Sequence, residues 1–237
     1  MNNIFRNKYP LLDTLIYSKS NNWGKIYTDS YREECSKGYS KFIDSEFEET
    51  PFVKNYFNFG LHDSWVTNIH FNQEQLEITF NDFQTHCFVD ALLEVSNEKI
   101  QPKKRILPVG LSFKKIKKLS VAWVNQNGKI LYLNKDRYLP KLKEYLYEQV
   151  LTVEPGKLSV GILFWSGLKG NKSYLLVEIE CERISLDEQQ RNAFVKLFSG
   201  NHLELYDLYR TQRNNGSYFE FSTSLEFIEK HIANRGK

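Results

Sequence analysis

The sequence predicts an α+β protein with a largely antiparallel sheet, N-terminal helices, one crossing helix and C-terminal helices. Apolar and polar residues alternate in several segments after residue 64, which is the pattern of half-buried strands. The chain contains 17 Phe, 14 Tyr and 4 Trp against one Met, and aromatic side chains suit pleated surfaces. Before residue 50, by contrast, apolar residues recur at helical spacing. Together these features favour a sheet with peripheral helices over a helical bundle.

Residues 1–56 are predicted to form an N-terminal helical segment. Its first helix is indicated by four apolar residues at helical spacing: Leu11, Leu12, Leu15 and Ile16. A second helix is predicted after the candidate cap Asp29, and Pro51 disfavours a helix through the acidic stretch that follows. Residues 57–237 are expected to form a β-rich α+β domain, packed as one unit.

The first part of the β region is predicted to begin with a hairpin. Alternating apolar residues before and after a polar turn at residues 72–75 indicate two strands between residues 65 and 80. We then expect a strand over residues 85–95 and a basic, proline-containing loop around residues 102–108.

Two further hairpins are predicted along the chain. Asn127-Gly128 separates two apolar runs that end at residues 124 and 133, and this pair readily supplies the positive φ angles of a type I′ turn. Residues 158–164 and 175–181 both alternate, and we expect them to form a long hairpin at the centre of the sheet.

The remaining segments are predicted to be mainly helical. Apolar residues at helical spacing between residues 136 and 150 predict the crossing helix. Ser185, Asp187 and Glu188 resemble a capping box for a helix that ends near Phe198. The C-terminal tail is predicted to form a strand, a second strand and a helix that ends near Ala233.

Composition places limits on partners and compartment. The formal net charge of +3 is too small to imply a nucleic-acid or membrane partner. Cys35, Cys87 and Cys181 are odd in number and widely spaced, so they indicate neither a disulfide framework nor metal-binding knuckles, and we expect small buried side chains. No apolar run of signal-peptide or membrane-span length occurs. We expect a cytoplasmic protein that needs no cofactor.

Histidines beside carboxylates are the first candidates for chemistry. His62 and Asp63, within Leu61-His62-Asp63-Ser64, could supply a base or a metal ligand, but neighbouring residues on a strand point to opposite faces. A structural role, in which Asp63 or Ser64 bonds nearby backbone at a turn, is the favoured alternative. Asp82, His86 and Asp90 are four residues apart and could share one face as an oxygen and nitrogen metal site, although solvent-exposed His and Asp side chains are commonplace.

Two clusters of like charge are candidate binding surfaces. The basic segment 103–118 has the composition of a phosphate-binding patch, or of a solvated rim: Lys103, Lys104, Arg105, Lys114, Lys115, Lys117 and Lys118. Glu178, Glu180 and Glu182 fall on one face of a predicted strand and form an acidic ladder. That ladder is either solvated or able to receive a basic protein.

Residues 59–80, which combine Leu61-His62-Asp63-Ser64 with the following hairpin, resemble uncharacterised bacterial immunity-type proteins of polymorphic toxin systems. The resemblance implies a protein that neutralises a cognate toxin by direct binding, without catalytic residues of its own. Glu178, Glu180 and Glu182 would then contact the partner. The alternative hypothesis is an enzyme acting on nucleotides or nucleic acid, with the basic segment as clamp and His62, Asp63 and His86 near the reacting group. A scaffolding subunit is a third interpretation.

Overall fold

A computed structural model describes residues 7–12, 37–39, 41, 60–96, 107–124, 130–168, 174–188, 190–198, 201–214, 217 and 219–235. Their elements occur in the order β1 (Trp65–Phe71), β2 (Gln75–Asn81), α1 (Phe83–Ser96), β3 (Pro108–Val124), β4 (Ile130–Leu133), α2 (Lys135–Tyr138), a 3₁₀ turn (Leu139–Lys141), β5 (Glu144–Glu154), β6 (Lys157–Trp165), β7 (Tyr174–Glu188), α3 (Gln190–Leu197), α4 (Asn201–Asn214) and α5 (Phe221–Arg235). The predicted α+β class with a largely antiparallel sheet is confirmed.

The seven strands form one sheet in the order β2-β1-β5-β6-β7-β3-β4. All of their pairings are antiparallel. The first half of β3 also pairs with β2, from Pro108 to Lys114, so six of the strands close into a ring while β4 extends from the second half of β3. Because each of these six strands has two neighbours, the ring encloses its own core.

Alternation along the strands directs one set of side chains into this ring. Val177, Ile179 and Cys181 of β7 join Val160 and Ile162 of β6 in the largest cluster of buried apolar residues. The opposite face of the same strands carries a smaller cluster, to which residues 7–12 contribute. The predicted central hairpin of β6 and β7 is therefore confirmed, and the two faces of β7 have different environments.

The helices α1, α3, α4 and α5 build a second, aromatic core. Phe88 of α1 stacks on Tyr209 of α4 with ring centroids 4.3 Å apart, and Phe194 of α3 stacks on Tyr206 at 4.2 Å. A buried ion pair joins Arg213 of α4 to Asp82, which precedes α1. This ion pair thus attaches the helical layer to the end of β2.

The segment predicted as a strand over residues 85–95 is instead the helix α1. Most of its side chains are buried, including the polar Gln84 and Thr85. Its sequence therefore lacks the polar face by which an amphipathic helix is recognised. Asp82 accepts a hydrogen bond from the Thr85 hydroxyl at 2.6 Å, and its carbonyl accepts from the backbone N–H of His86. These bonds fix the first turn of the helix.

The crossing helix predicted between residues 136 and 150 is also wrong for most of its length. Only α2 and the 3₁₀ turn are helical there, and Glu144–Glu154 is the strand β5. Register shifts between Tyr145 and Tyr147 and between Val150 and Thr152 interrupt the alternation of β5. Two bulges in a strand that is buried on both sides therefore produced a spacing similar to that of a helix.

At the C-terminus, β7 continues to Glu188 and α3 begins at Gln190, so the residues predicted as a capping box lie in a strand. In the tail, the helix α4 replaces the two predicted strands, whereas α5 confirms the predicted final helix and ends at Arg235. The hairpins β1–β2 and β3–β4 are confirmed by their pairing. The Asn127-Gly128 turn and most of the predicted N-terminal helical segment lie outside the described residues, although residues 7, 8, 10–12, 37–39 and 41 are helical.

Candidate functional site

The first candidate surface is the acidic side of β7. Its first glutamate, Glu178, is bonded to other residues of the protein. Glu178 is only 4% exposed and lies opposite Gly161 of β6 and Ser120 of β3. Its carboxylate accepts hydrogen bonds from the Tyr9 hydroxyl at 2.8 Å, from the Ser120 hydroxyl at 2.9 Å and from the Lys8 ammonium. The Tyr9 ring lies directly on Gly161, where a side chain would leave it no room.

This arrangement fixes the ionisation of Glu178. Burial alone would raise the pKa of its carboxyl, but the hydrogen bonds from Lys8, Tyr9 and Ser120 outweigh burial and lower the pKa to about 2. Burial and the nearby Glu178 charge raise the pKa of Tyr9. Glu178 therefore remains ionised, and its charge anchors residues 7–12 to the sheet.

The other two residues of the acidic ladder lie among lysines of β3. Glu182 accepts from Lys115 at 2.9 Å and lies 3.5 Å from Lys117, while Glu180 is directly opposite Lys118. The hydrogen bond from Lys115 is the main cause that lowers the pKa of Glu182. The acidic residues and the lysines were predicted as two separate surfaces. In the structure, Glu180 and Glu182 of β7 lie next to the lysines of β3.

The lysines of this pair are exposed. Lys114, Lys115, Lys117 and Lys118 all reach solvent, and Lys115 has a positive φ of 54°, next to the register shift between Ile116 and Lys118. Lys103, Lys104 and Arg105 lie outside the described residues, so the full basic segment remains a prediction.

His62 and Asp63 do form a pair, at a turn. The His62 Nδ1 lies 2.9 Å from the Asp63 carboxylate, and its ring contacts Tyr147 with centroids 4.5 Å apart. The His62 Nε2 is closed to solvent and has no hydrogen-bond partner. Asp63 has a φ of 62°, and the buried Ser64 hydroxyl accepts from the backbone N–H of Phe83 at 3.1 Å. These contacts fit the structural role weighed from the sequence.

His86 belongs to a different pair. Its Nε2 lies 3.4 Å from the Asp90 carboxylate on α1, whereas Asp82 is buried against Arg213. Within the described ranges, no group of three or more His, Cys, Asp and Glu side chains is arranged to hold a metal ion. The three residues spaced by four therefore do not assemble as one site.

The two described cysteines, Cys87 and Cys181, are buried, and burial raises the pKa of each thiol to about 11. A thiol with a raised pKa is a poor nucleophile at neutral pH, which agrees with the predicted packing role. Cys35 lies outside the described residues.

A cavity at one end of the sheet was missed by sequence reasoning. It has a volume of about 250 Å³ and is lined by Trp65, Glu144, Leu146, Trp165 and Tyr174. Four of these residues form a row across four strands, because Trp65 is opposite Glu144, Glu144 is opposite Trp165, and Trp165 is opposite Tyr174. Residues opposite each other on antiparallel strands project to the same side, so the row forms one surface. We call these four residues the aromatic row.

The two indoles of the aromatic row are nearly perpendicular. The Trp65 and Trp165 rings meet edge to face, with centroids 6.2 Å apart and an interplanar angle of 87°. Trp65 is 50% exposed, although it is among the largest apolar side chains in the protein. The contact between the two tryptophans depends on strand register, for which alternation gives no signal.

Comparison of the chain with protein-family models, with curated proteins and with solved structures found no match in any of the three. Among the helices that the structure describes, none combines the length and apolar character needed to cross a membrane.

Proposed function

We propose that this chain is a non-enzymatic bacterial binding protein of the immunity or inhibitor type, which acts in the cytoplasm and neutralises a cognate toxin by direct contact. The observation that carries the proposal is the aromatic row, where a half-exposed Trp65 and two further aromatic residues border a cavity at the surface. Trp and Tyr are the residues most enriched at energetically dominant positions of protein interfaces.

The geometry of the histidines favours this proposal over the alternative enzyme. A nucleotide-acting enzyme would need His62, Asp63 and His86 near one reacting group, whereas His62 and His86 each pair with a different carboxylate. The exposed lysines of β3 face Glu180 and Glu182, which reduces the field available to attract phosphates.

The proposal is tested by capture followed by a growth assay. The tagged chain is used to capture a partner from its native cells, and the captured protein is then expressed in a host with and without this chain. We expect the captured protein to inhibit growth alone and growth to recover when the chain is co-expressed. A captured protein that leaves growth unaffected, or capture of nucleic acid without a protein, contradicts the proposal.

Two variants, one in the aromatic row and a control outside it, are compared in this assay. Trp65→Ala removes a half-exposed ring at the cavity, and Phe221→Ala removes a ring that is 43% exposed at the start of α5. Loss of an interface anchor costs about 2 kcal/mol or more, or about 30-fold in affinity. We expect growth rescue to weaken with Trp65→Ala and to persist with Phe221→Ala, with circular dichroism confirming that both variants fold.

A further inference from the structure

The strand β4 is the open edge of the sheet. It has one strand neighbour, β3, whereas every other strand that the structure describes has two or more. We propose that this edge pairs with the β4 edge of a second copy of the chain, which joins the two sheets through a weak symmetric interface. The inference goes beyond the proposed function, because it concerns residues outside the aromatic row. Three properties of β4 carry it: its unprotected edge, its exposed side chains and the way in which these match across a twofold axis.

The sequence of β4 lacks the features that keep most strand edges from pairing. Such edges are commonly blocked by charged side chains, by proline or by β-bulges. The sequence Ile-Leu-Tyr-Leu of β4 contains no charged residue and no proline, and its four residues pair with β3 in a continuous register. The backbone groups on the side of β4 away from β3 are therefore able to form the hydrogen bonds of an added strand.

Two side chains of β4 are exposed, one on each side of the sheet. Leu131 is 46% exposed and Tyr132 is 55% exposed. Leu133, on the same side as Leu131, packs against the ring core, and Ile130, on the same side as Tyr132, packs against the smaller cluster on the other face. A strand added at this edge would cover Leu131 and Tyr132 together, because its own side chains project to both sides.

The match between two copies of β4 identifies the added strand. Two identical edges that pair about a twofold axis run antiparallel and make each contact twice. Residues directly opposite each other project to the same side of the sheet. Leu131 of one copy can therefore meet Leu131 of the other, while Tyr132 meets Ile130. In this register no two like charges oppose each other within β4, and every side chain meets an apolar or aromatic one.

On the side of the ring core, the match extends beyond β4. Trp123 of β3 is directly opposite Leu131, and Leu175 of β7 is opposite Trp123. The register centred on Leu131 therefore makes one apolar row through both copies, in which the two exposed leucines meet between two tryptophans. A register centred on Tyr132 would instead set Leu131 against Leu133, which the ring core already partly covers. We expect the register centred on Leu131, because it covers more exposed apolar surface.

The length of β4 limits the strength of this contact. Four strand residues span about 14 Å, whereas stable interfaces bury about 1,200–2,000 Å² in total. A pair of four-residue strands buries less than this, so we expect a weak dimer with a Kd of roughly 10 µM to 1 mM. The dimer should form where the chain is concentrated and dissociate on dilution.

Sedimentation equilibrium of the full chain, from about 10 µM to about 1 mM, tests the association. We expect the mean mass to rise with concentration from 28.1 kDa towards twice that value. Leu131→Lys exchanges the apolar contact at the twofold axis for two opposed ammonium groups and should weaken the dimer by about tenfold or more. Leu208→Lys is the matched control, because Leu208 is an exposed leucine on α4, and it should leave the dimer unchanged. Circular dichroism confirms that both variants fold.

Disulfide trapping tests the register. Directly opposite residues of antiparallel strands have Cα atoms about 4.5–5.5 Å apart, which a disulfide can bridge, whereas diagonal neighbours lie at or beyond its limit of about 7 Å. Mild oxidation of Leu131→Cys should therefore give a covalent dimer, and mild oxidation of Tyr132→Cys should not. The parent chain, oxidised in parallel, measures the contribution of the native cysteines.

A mass that stays at 28.1 kDa throughout, or a dimer that Leu131→Lys leaves unchanged, overturns the inference. Trapping of Tyr132→Cys in place of Leu131→Cys overturns the register. If the chain stays monomeric and the β4 amides exchange more slowly in the complex captured for the growth assay, the edge receives a strand of that partner and the second copy is excluded. A dimer sensitive to Leu131→Lys, together with a captured protein that leaves growth unaffected, would support the β4 interface and contradict the immunity role.

Discussion

The contact between Tyr9 and Gly161 makes a prediction with a definite magnitude. A Cβ at position 161 would lie 2.3 Å from the Tyr9 Cε1 and 2.9 Å from its Cζ. Ordinary carbon contacts begin near 3.4 Å, so the ring would have to move by about 1.1 Å, the difference between 3.4 and 2.3. A shift of that size is enough to take the 2.8 Å bond between Tyr9 and Glu178 beyond hydrogen-bond range.

We therefore expect Gly161→Ala to destabilise the protein, even though alanine is ordinarily the better residue within a strand. Overpacking costs about 1–3 kcal/mol, and loss of a hydrogen bond to a charged group costs about 1.5–3 kcal/mol. The entropy that alanine removes from the unfolded chain offsets about 0.4–1 kcal/mol. If these contributions add, the free energy of unfolding should fall by roughly 1.5–5.5 kcal/mol as the net result.

Urea unfolding followed by circular dichroism measures this change, with a lower midpoint and an unchanged slope as the expected signature. Gly38→Ala is the matched control, because Gly38 is helical and a Cβ there meets nothing within 4 Å. That control should leave stability unchanged or raise it by up to about 1 kcal/mol.

A double-mutant cycle with Tyr9→Ala tests the cause. Once the Tyr9 ring is absent, Gly161→Ala should lose its cost, since nothing remains for the new methyl group to displace. The reasoning is refuted if Gly161→Ala is as stable as the parent chain, or if its cost is the same with and without Tyr9.

Two further predictions concern buried charge. Arg213→Met leaves Asp82 buried without its cation, so the unfolding free energy should fall by about 3–5 kcal/mol in urea titration, and a loss below about 1 kcal/mol would contradict the pairing. Glu178 has a folded pKa of about 2 against an ordinary 4.5, so its stabilising contribution, up to about 3 kcal/mol, is present above pH 4.5 and is lost as pH falls towards 2. Glu178→Gln should flatten stability over that range in acid titration, and an unchanged profile would refute the assignment.

The hairpins could be predicted because their signals are local. In β1–β2, the polar turn is formed by Asn72, whose side chain accepts from the backbone N–H groups of Glu74 and Gln75. Strict alternation in β6 and β7 reflects a continuous register without a bulge. Each of these features involves residues close in sequence or a regular period, which single-sequence reasoning can detect.

Where a segment is buried on all sides, the same reasoning failed. In β5, Glu148 is fully buried and accepts a hydrogen bond from Tyr145 at 2.8 Å, so even a charged residue there does not mark a solvent face. In α1, buried Gln84 bonds the carbonyl of Gly60 and the N–H of Phe219. Helix and strand predictions depend on a regular alternation between a polar and an apolar face. Buried polar residues that form hydrogen bonds with distant partners remove that alternation.

For the candidate surfaces too, the sequence predicts which side of the sheet a residue lies on, but it does not predict which residues surround it. Alternation along β7 does place Tyr174, Glu178, Glu180 and Glu182 on one side of the sheet. It could not predict that residues 7–12 cover the middle of that side at Glu178, or that β3 brings Lys115 to Glu182. Both facts depend on residues more than 60 positions away in the sequence.

Coverage of Glu178 by residues 7–12 separates the two ends of the β7 face, and this gives them different parts in the proposed recognition. At one end Glu180 and Glu182 lie among exposed lysines, where ion pairs are screened and contribute mainly to orientation and association rate. At the other end the aromatic row borders a cavity that excludes water when filled, which is where interface free energy concentrates. Substitutions at the acidic end should therefore alter the association rate and its salt dependence, whereas substitutions at the aromatic row should alter the dissociation rate.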